Sequence, residues 1–302
     1  MEKRKAIQNL FCELERNFGN MKELIETSKV LKVEILRKEH LLDLFSHKIC
    51  GIHVKSFYPQ GSCNFFTNKL LKSGDIQNWE TASGRGLESS DVQTIGTPFN
   101  MAVAEGPSAI DAYFQEAISM MAHLRQPERE DTPVLTPLDK LRLELDEIWE
   151  SGARLARDKK GRAFLAGMGR VMKGPTKSLE GFCHVDDLSP LSEDRGTFSA
   201  NIYLQLPPVG GVLEIFNVAI RSRWQFYKNA YTLSQLTTQD PEGQRRLRGA
   251  LPKPIIVNVE AGDLVLICVQ RPHAVQGFPF GTRVSMQSFI NFEKGKALTF
   301  DS

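Results

Sequence analysis

From residue 163 onward the chain is written in short β-rich pieces, and their spacing restricts the fold more than any other feature. The pieces are AFLAGMGRVM (163–172), GTFSANIYLQL (196–206), GVLEIFN (211–217), PIIVNV (254–259), DLVLICV (263–269) and RVSMQSFIN (283–291). They are rich in apolar and β-branched residues, and Gly or Pro punctuates the gaps. Strands this short, joined by turns, predict a double-sheet antiparallel barrel. LPPVGG (206–211) is expected to turn a hairpin, and Ala261-Gly262-Asp263 to turn into a buried strand.

The first half has helical periodicity instead, over 3–17, 19–46, 107–124 and 136–158. Within PLDKLRLELDEIWESGARL (137–155), Leu141, Leu145 and Ile148 recur four and then three apart, as on a helix packed against a sheet. These helices read as a buttress. Residues 51–106 between them are polar and Gly-rich with short strand-like pieces, and the loop in VQTIGTPFNMAV (92–103) offers Phe99 and Asn100 as pocket lining. From 218 to 253 the period turns helical again. There RSRWQFYKNAY (221–231) sits between two strands, where a lid would lie, with Arg221, Arg223 and Trp224 as candidate substrate contacts.

A chain of 302 residues with 41% hydrophobic content can bury a sizeable core. Thirty-eight basic against 36 acidic residues, without a long basic run, argue against nucleic acid as the partner. Cys12, Cys50, Cys63, Cys183 and Cys268 are odd in number and scattered, so they suggest reduced thiols rather than a disulfide framework or zinc knuckle. The N-terminal MEKRKAIQNLFCELERNF is charged throughout, and no stretch approaches the ~18 to 20 apolar residues of a membrane span. The expectation is a cytoplasmic protein acting on a small molecule, with no membrane partner.

Within GFCHVDDLSP (181–190), a strand would place His184 and Asp186 on one face and Cys183 and Val185 on the other. Such a triplet arises often by chance. The segment AGDLVLICVQRPHAVQGFPFGTRVSMQSFI (261–290) raises its weight by supplying His273 and then Arg283, Ser285 and Gln287 on one face of a further strand. Asn201 and Tyr203 share a face on the strand that follows the triplet. His40, His47, His53 and His123 have no acid at ligand spacing and read as surface or packing residues. Asp187 has the opposite parity to Asp186 and is expected to cap the next turn.

This set resembles the signature of the non-haem Fe(II), 2-oxoglutarate-dependent dioxygenases: His-x-Asp/Glu, a distal His, and an Arg about ten residues later. Here it reads His184-x-Asp186, His273 after 89 positions, and Arg283 ten further on. The resemblance implies an α+β chain whose double-stranded β-helix core, jelly-roll and cupin-like, carries N-terminal helices and a helical lid insertion. It implies one domain over 1–302: a helical buttress with substrate loops at 1–160, a core at 161–295, and a lid at 218–253. Fe(II) would be held by His184, Asp186 and His273. Arg283 and Ser285 would hold the distal carboxylate of 2-oxoglutarate, with Asn201 and Tyr203 in reach, and O2 would be the oxidant. The layout is similar to free-standing small-molecule tailoring enzymes, the amino-acid hydroxylases and hapalindole-type halogenases.

Two imidazoles and one carboxylate on one face of octahedral Fe(II) leave three adjacent positions for a bidentate 2-oxo acid and O2. The Arg fork matches a carboxylate and stays charged. Halogenases of the family carry a small residue where Asp186 stands. Hydroxylation of an unactivated C–H of a small metabolite is therefore expected, with desaturation and ring formation as variants. A cupin-type isomerase or binding protein would keep the metal without requiring Arg283.

Overall fold

In a computed structural model describing residues 2–72, 76–83, 86–126 and 135–302, the chain opens with α1 (Glu2–Phe18) and β1 (Val30–Val33). Then come α2 (Lys38–Phe45), β2 (Gly51–Val54), α3 (Gln60–Lys72) and the paired strands β3 (Ile76–Ser83) and β4 (Gly86–Ile95). Three helices follow, α4 (Phe99–Glu105), α5 (Pro107–Leu124) and α6 (Pro137–Ile148), and then β5 (Ala153–Leu155). The β-rich half supplies β6 (Met168–Lys173), β7 (Arg195–Gln205) and β8 (Leu213–Ile215). An insertion of α7 (Arg223–Tyr227), α8 (Ala230–Leu233) and α9 (Pro241–Ala250) precedes β9 (Ile255–Val257), β10 (Leu264–Cys268), β11 (His273–Val275), β12 (Thr282–Glu293) and β13 (Leu298–Asp301).

The strands form two sheets. The large one runs β1-β2-β10-β7-β12-β6-β4-β3, with β13 joining β12 and β5 joining β13, and it is antiparallel except for the β1/β2 and β13/β5 pairs. The small one is β11-β8-β9, all antiparallel. Side chains alternate across the large sheet and divide its two faces. Phe198, Ala200, Ile202 and Leu204 of β7, with Val284, Met286 and Ile290 of β12, pack against the helical buttress, where Leu141, Leu145, Tyr113 and Phe114 are buried. Tyr203 and the β10 residues Val265 and Ile267 point the other way and pack on Leu213, Ile215 and Val257 of the small sheet. Arg283, Ser285 and Gln287 of β12 therefore lie on the face turned toward the small sheet.

The insertion has a core of its own. Leu233, Leu236 and Leu247 bury themselves against Cys183, Val185, Phe216, Val218 and Ala274, on the outer side of the small sheet. Each such Leu contributes about 1.5–3 kcal/mol by leaving water. Further ties join it to the N-terminus: Glu15 accepts from Thr232, Asn229 from the Asn20 amide, and Lys228 donates to Glu23. Within the segment expected as a lid, the part from Leu233 to Leu247 is thus packed as a wall.

Several local expectations change. LPPVGG turns no hairpin, since β7 and β8 belong to different sheets. Gly210 and Gly211 have φ of 77° and 71° and carry the chain across, and a Cβ on Gly210 would meet the Gly277 carbonyl at 2.5 Å. The helical run read at 19–46 is interrupted by β1, because parallel pairing with β2 outweighs the local pattern. The one read at 136–158 ends at Ile148, where the chain turns to β5. Its start is well specified: Thr136 accepts from the Asp139 amide at 3.0 Å, and Pro137 occupies the first turn. The loop expected around Phe99 is α4, and 60–72 is a further helix. No helix among the described residues is long and apolar enough to cross a membrane.

Candidate active site

His184 lies in no strand; it makes a single antiparallel bridge to His273. Even so, the face assignment from the sequence holds. Cys183 and Val185 enter the insertion's core, while His184 and Asp186 turn to His273. Three contacts lace this segment along the chain before β11: paired bonds between the His184 and His273 backbones, and Asp186 N–H to the Val269 carbonyl at 3.0 Å. Gly181 permits the approach, with φ of 71° and a position where any Cβ would collide with the Val275 carbonyl.

One ligand atom from each of His184, Asp186 and His273 lies within 4.8 Å of the others. Nε2 of His184 is 3.6 Å from one Asp186 oxygen, and Nε2 of His273 is 3.8 Å from the other. The remaining ring nitrogens are occupied. His184 Nδ1 meets the Phe182 carbonyl at 3.0 Å and His273 Nδ1 the Arg271 carbonyl at 2.9 Å. A carbonyl only accepts, so each Nδ1 carries the proton and each Nε2 offers its lone pair inward. Burial, His273 close by and Arg170 push the His184 pKa down to about 4 against the opposing pull of Asp186, which keeps the imidazole neutral near pH 7. Phe182 stacks on the His184 ring at 5.0 Å and 5°. Two neutral imidazoles and a carboxylate, each imidazole oriented by a second bond, are a donor set suited to a divalent metal with open positions.

The insertion fixes the segment from behind. Gln244 accepts from Cys183 N–H at 3.0 Å and donates to the Cys183 carbonyl at 3.1 Å. The same amide donates to the Gln235 and Thr238 carbonyls. A glutamine 61 residues away therefore sets the backbone next to His184. Cys183 itself is inert, because burial raises its thiol to about 12. All five cysteines are free.

On the inner face of β12, Arg283 is 5% exposed and lies 5.0 Å from the centre of the Tyr203 ring. Its Nε, the Ser285 hydroxyl and the Gln287 carbonyl oxygen are all buried without a partner. Gln287 donates to Ser199, as does Asn201, in strand register with Gln287. Arg283, Ser285, Asn201 and Tyr203 are thus brought together on one face. The Arg283 Nε and the Ser285 hydroxyl are thus two free donors on this face, a chemistry that suits an anionic group.

The expected substrate residues behave differently. Phe99 opens α4 and packs its ring among Tyr113, Phe114 and Phe164, and Asn100 is exposed. Arg221 is paired with Glu26, which also holds the buried Arg271. Trp224 leans on Phe18, and Arg223 is exposed at the start of α7. Aromatic packing engages Phe99 and an ion pair Arg221, while Asn100, Arg223 and Trp224 stay exposed, so the five are not gathered into one pocket lining.

Asp187 caps its turn as expected, accepting from Ser189 N–H and Oγ. His53 departs from the surface-or-packing reading in one respect: it is buried with Nε2 2.7 Å from Asp263, a partner 210 residues distant. The sequence reading also missed Arg170, whose guanidinium lies 4.3 Å from the Trp79 ring and whose neighbours include Asp186 and Arg283. Burial, with help from Arg283, brings its pKa down to about 10 against the pull of Asp186, leaving it charged at neutral pH. Its strand register with Ser285 was the signal, and that register exists only in the folded sheet.

No family model matches the chain, and no curated protein does. Solved structures do. An N-substituted L-amino acid dioxygenase from Burkholderia ambifaria AMMD superposes with a TM-score of 0.54 at 14% identity, over 87% of this chain and 91% of that one. The same enzyme in complex with α-ketoglutarate gives 0.51 at 12% identity, over 87% and 90%. An oxidoreductase of the 2OG-Fe(II) oxygenase family from Burkholderia pseudomallei gives 0.44 at 9% identity, over 90% and 98%. The α+β class expected from the sequence is found, and this chain shares its fold with the N-substituted L-amino acid dioxygenase.

Proposed function

We propose that the protein is an Fe(II)- and 2-oxoglutarate-dependent dioxygenase that oxidises, by hydroxylation, an unactivated C–H bond of a small metabolite such as an amino acid or a natural-product intermediate. The observation that carries this reading is the presence together of two sets of residues, one around β11 and one on β12. The His184, Asp186 and His273 ligand atoms converge within 4.8 Å, and the inner face of β12 presents Arg283 and Ser285 with unpartnered buried donors. The solved dioxygenase with the same fold was captured with α-ketoglutarate. The whole chain is read as one enzyme unit with a double-stranded β-helix core at 161–295, buttressed by 1–160 and walled by the insertion at 218–253.

Bound there, Fe(II) would supply O2 activation coupled to decarboxylation of 2-oxoglutarate to succinate and CO2. This chain's residues do the rest. His184, Asp186 and His273 would hold the metal on one face and leave the other open. Arg283 would grip the distal carboxylate through its fork, with Ser285 as a second donor and the Tyr203 ring beneath the guanidinium. Asn201 and Gln287, both donating to Ser199, fix the floor of that pocket.

Anaerobic addition of Fe(II) and 2-oxoglutarate should produce a metal-to-ligand charge-transfer absorption, and a panel of amino acids and related metabolites should contain one that stimulates succinate release. Absence of the absorption would overturn the reading. A cupin-type isomerase would bind metal without it.

A further inference from the structure

Arg170 is a half-buried guanidinium close to Asp186 and Arg283 that the proposed chemistry does not use. Arg170 stands on β6 opposite Ser285 on β12 and Thr94 on β4, on the face turned toward the small sheet. Its Nε is buried without a hydrogen-bond partner, and its guanidinium carbon lies 4.3 Å from the centre of the Trp79 ring. Thr94 beside it is wholly buried, and its hydroxyl is also unpartnered. No ion pair joins Arg170 to Asp186, whose oxygens face the two histidines instead.

Charge balance gives this group a meaning. A divalent cation and Arg283 are together neutralised by Asp186 and the two carboxylates of 2-oxoglutarate. Arg170, half-buried with its Nε shut off from water, is then a positive charge with no ion-pair partner among the described residues, an arrangement that a ligand carboxylate would complete. We propose that Arg170, Thr94 and the Trp79 ring form a subsite for a carboxylate on the substrate, so that the metabolite oxidised is an anion. The inference rests on the dioxygenase reading and names its substrate class. The guanidinium fork would take the carboxylate, Thr94 would add a donor, and the indole would hold the guanidinium plane and pack on the adjoining apolar part.

A site built to bond a carboxylate rejects the matched neutral amide, because its own charge is then left unpaired. The test uses the full-length protein with Fe(II) and 2-oxoglutarate under anaerobic conditions, and as probes a set of N-acetyl-L-amino acids with the corresponding carboxamides. Binding is read as a shift in the Fe(II)–2-oxoglutarate absorption and as quenching of tryptophan fluorescence.

At least one carboxylate probe should bind, with its amide weaker by about ten- to a hundredfold, the range of a charge-assisted hydrogen bond. Arg170→Gln should erase that preference while 2-oxoglutarate affinity and the unfolding midpoint stay near wild type. Arg170→Lys, which keeps the charge and the stem, should retain part of it, and gives the comparison if the Gln variant does not fold. Equal binding of acid and amide, no carboxylate binding at all, or a preference that survives in Arg170→Gln would overturn the subsite. So would loss of 2-oxoglutarate affinity in that variant, which would assign Arg170 to the cosubstrate. A wild type without the charge-transfer absorption would remove the dioxygenase reading itself and the subsite with it, whereas absorption without acid-over-amide preference removes the subsite alone.

Discussion

His184 and His273 exchange both of their backbone hydrogen bonds, 2.9 Å in each direction, although 89 positions separate them in the chain. Their rings lie 4.4 Å apart as a result, with both Nε2 atoms turned to Asp186. The candidate metal site is therefore made by β-pairing rather than by flexible side chains reaching across a gap, and it should be sensitive to the backbone as much as to the ligands. His273→Ala should abolish Fe(II) binding and turnover. Gly181→Ala keeps every ligand, yet forces a Cβ into the Val275 carbonyl at a positive φ, and it should weaken metal binding at least tenfold. Metal titration followed by calorimetry measures both.

Arg283 is the expected cosubstrate clamp. Replacing it with Gln removes a bidentate charged donor worth roughly 1.5–3 kcal/mol, so KM for 2-oxoglutarate should rise about ten- to a hundredfold while Fe(II) affinity stays. An unchanged KM would place the clamp elsewhere.

Gln244 binds both backbone groups of Cys183, the residue before His184. Gln244→Leu preserves size but strands those groups and two further carbonyls. It should cost about 1–3 kcal/mol in stability and, as loss of an outer-shell support, weaken metal affinity about ten- to a hundredfold. If metal affinity is unchanged at a lowered midpoint, Gln244 serves folding alone.

The insertion makes a separate forecast. Leu233, Leu236 and Leu247 are fully buried, so amides across 230–250 should already be protected from hydrogen exchange without ligand. The exposed face at 221–227, where Trp224 and Tyr227 stand out, is where any substrate-dependent protection should be sought. Fast exchange throughout 230–250 in the free protein would contradict the packed wall and favour a mobile lid.

Acid should unfold the protein partly through Asp263. It is 1% exposed, a burial that by itself raises its pKa, but Ser56 N–H, His53, Glu260 N–H and Lys55 all donate to it and bring the pKa below the ordinary value. A carboxyl with a depressed folded pKa stabilises above its unfolded value near 4 and loses that contribution as pH falls through the folded value. Asp263→Ala should cost roughly 3–5 kcal/mol at pH 7, since it leaves His53 and Lys55 without their buried partner, and should flatten the acid limb of the stability curve. Unfolding midpoints from pH 7 down to 2 check both.

How far the sequence reaches can be argued residue by residue. Short β pieces between Gly and Pro set the strands β6 to β10 and β12, because alternation and turn chemistry are local. The parity of His184 and Asp186, and of Arg283, Ser285 and Gln287, is likewise local, and it held even where the expected strand at His184 shrank to a single bridge. What depended on pairing between distant segments was hidden. LPPVGG looked like a hairpin because a turn's residues state its bend, not which sheet receives the chain. Arg170 stayed unread because its neighbours Ser285 and Thr94 become neighbours only through strand register. His53 lacked an acid nearby in sequence and found Asp263 through the β2/β10 ladder. Phe99 and Arg221 had the right chemistry for a pocket, but an aromatic cluster took the first and Glu26 the second. Residue type and period determine what a segment can offer; only the sheet pairings and the packed core decide which offers meet.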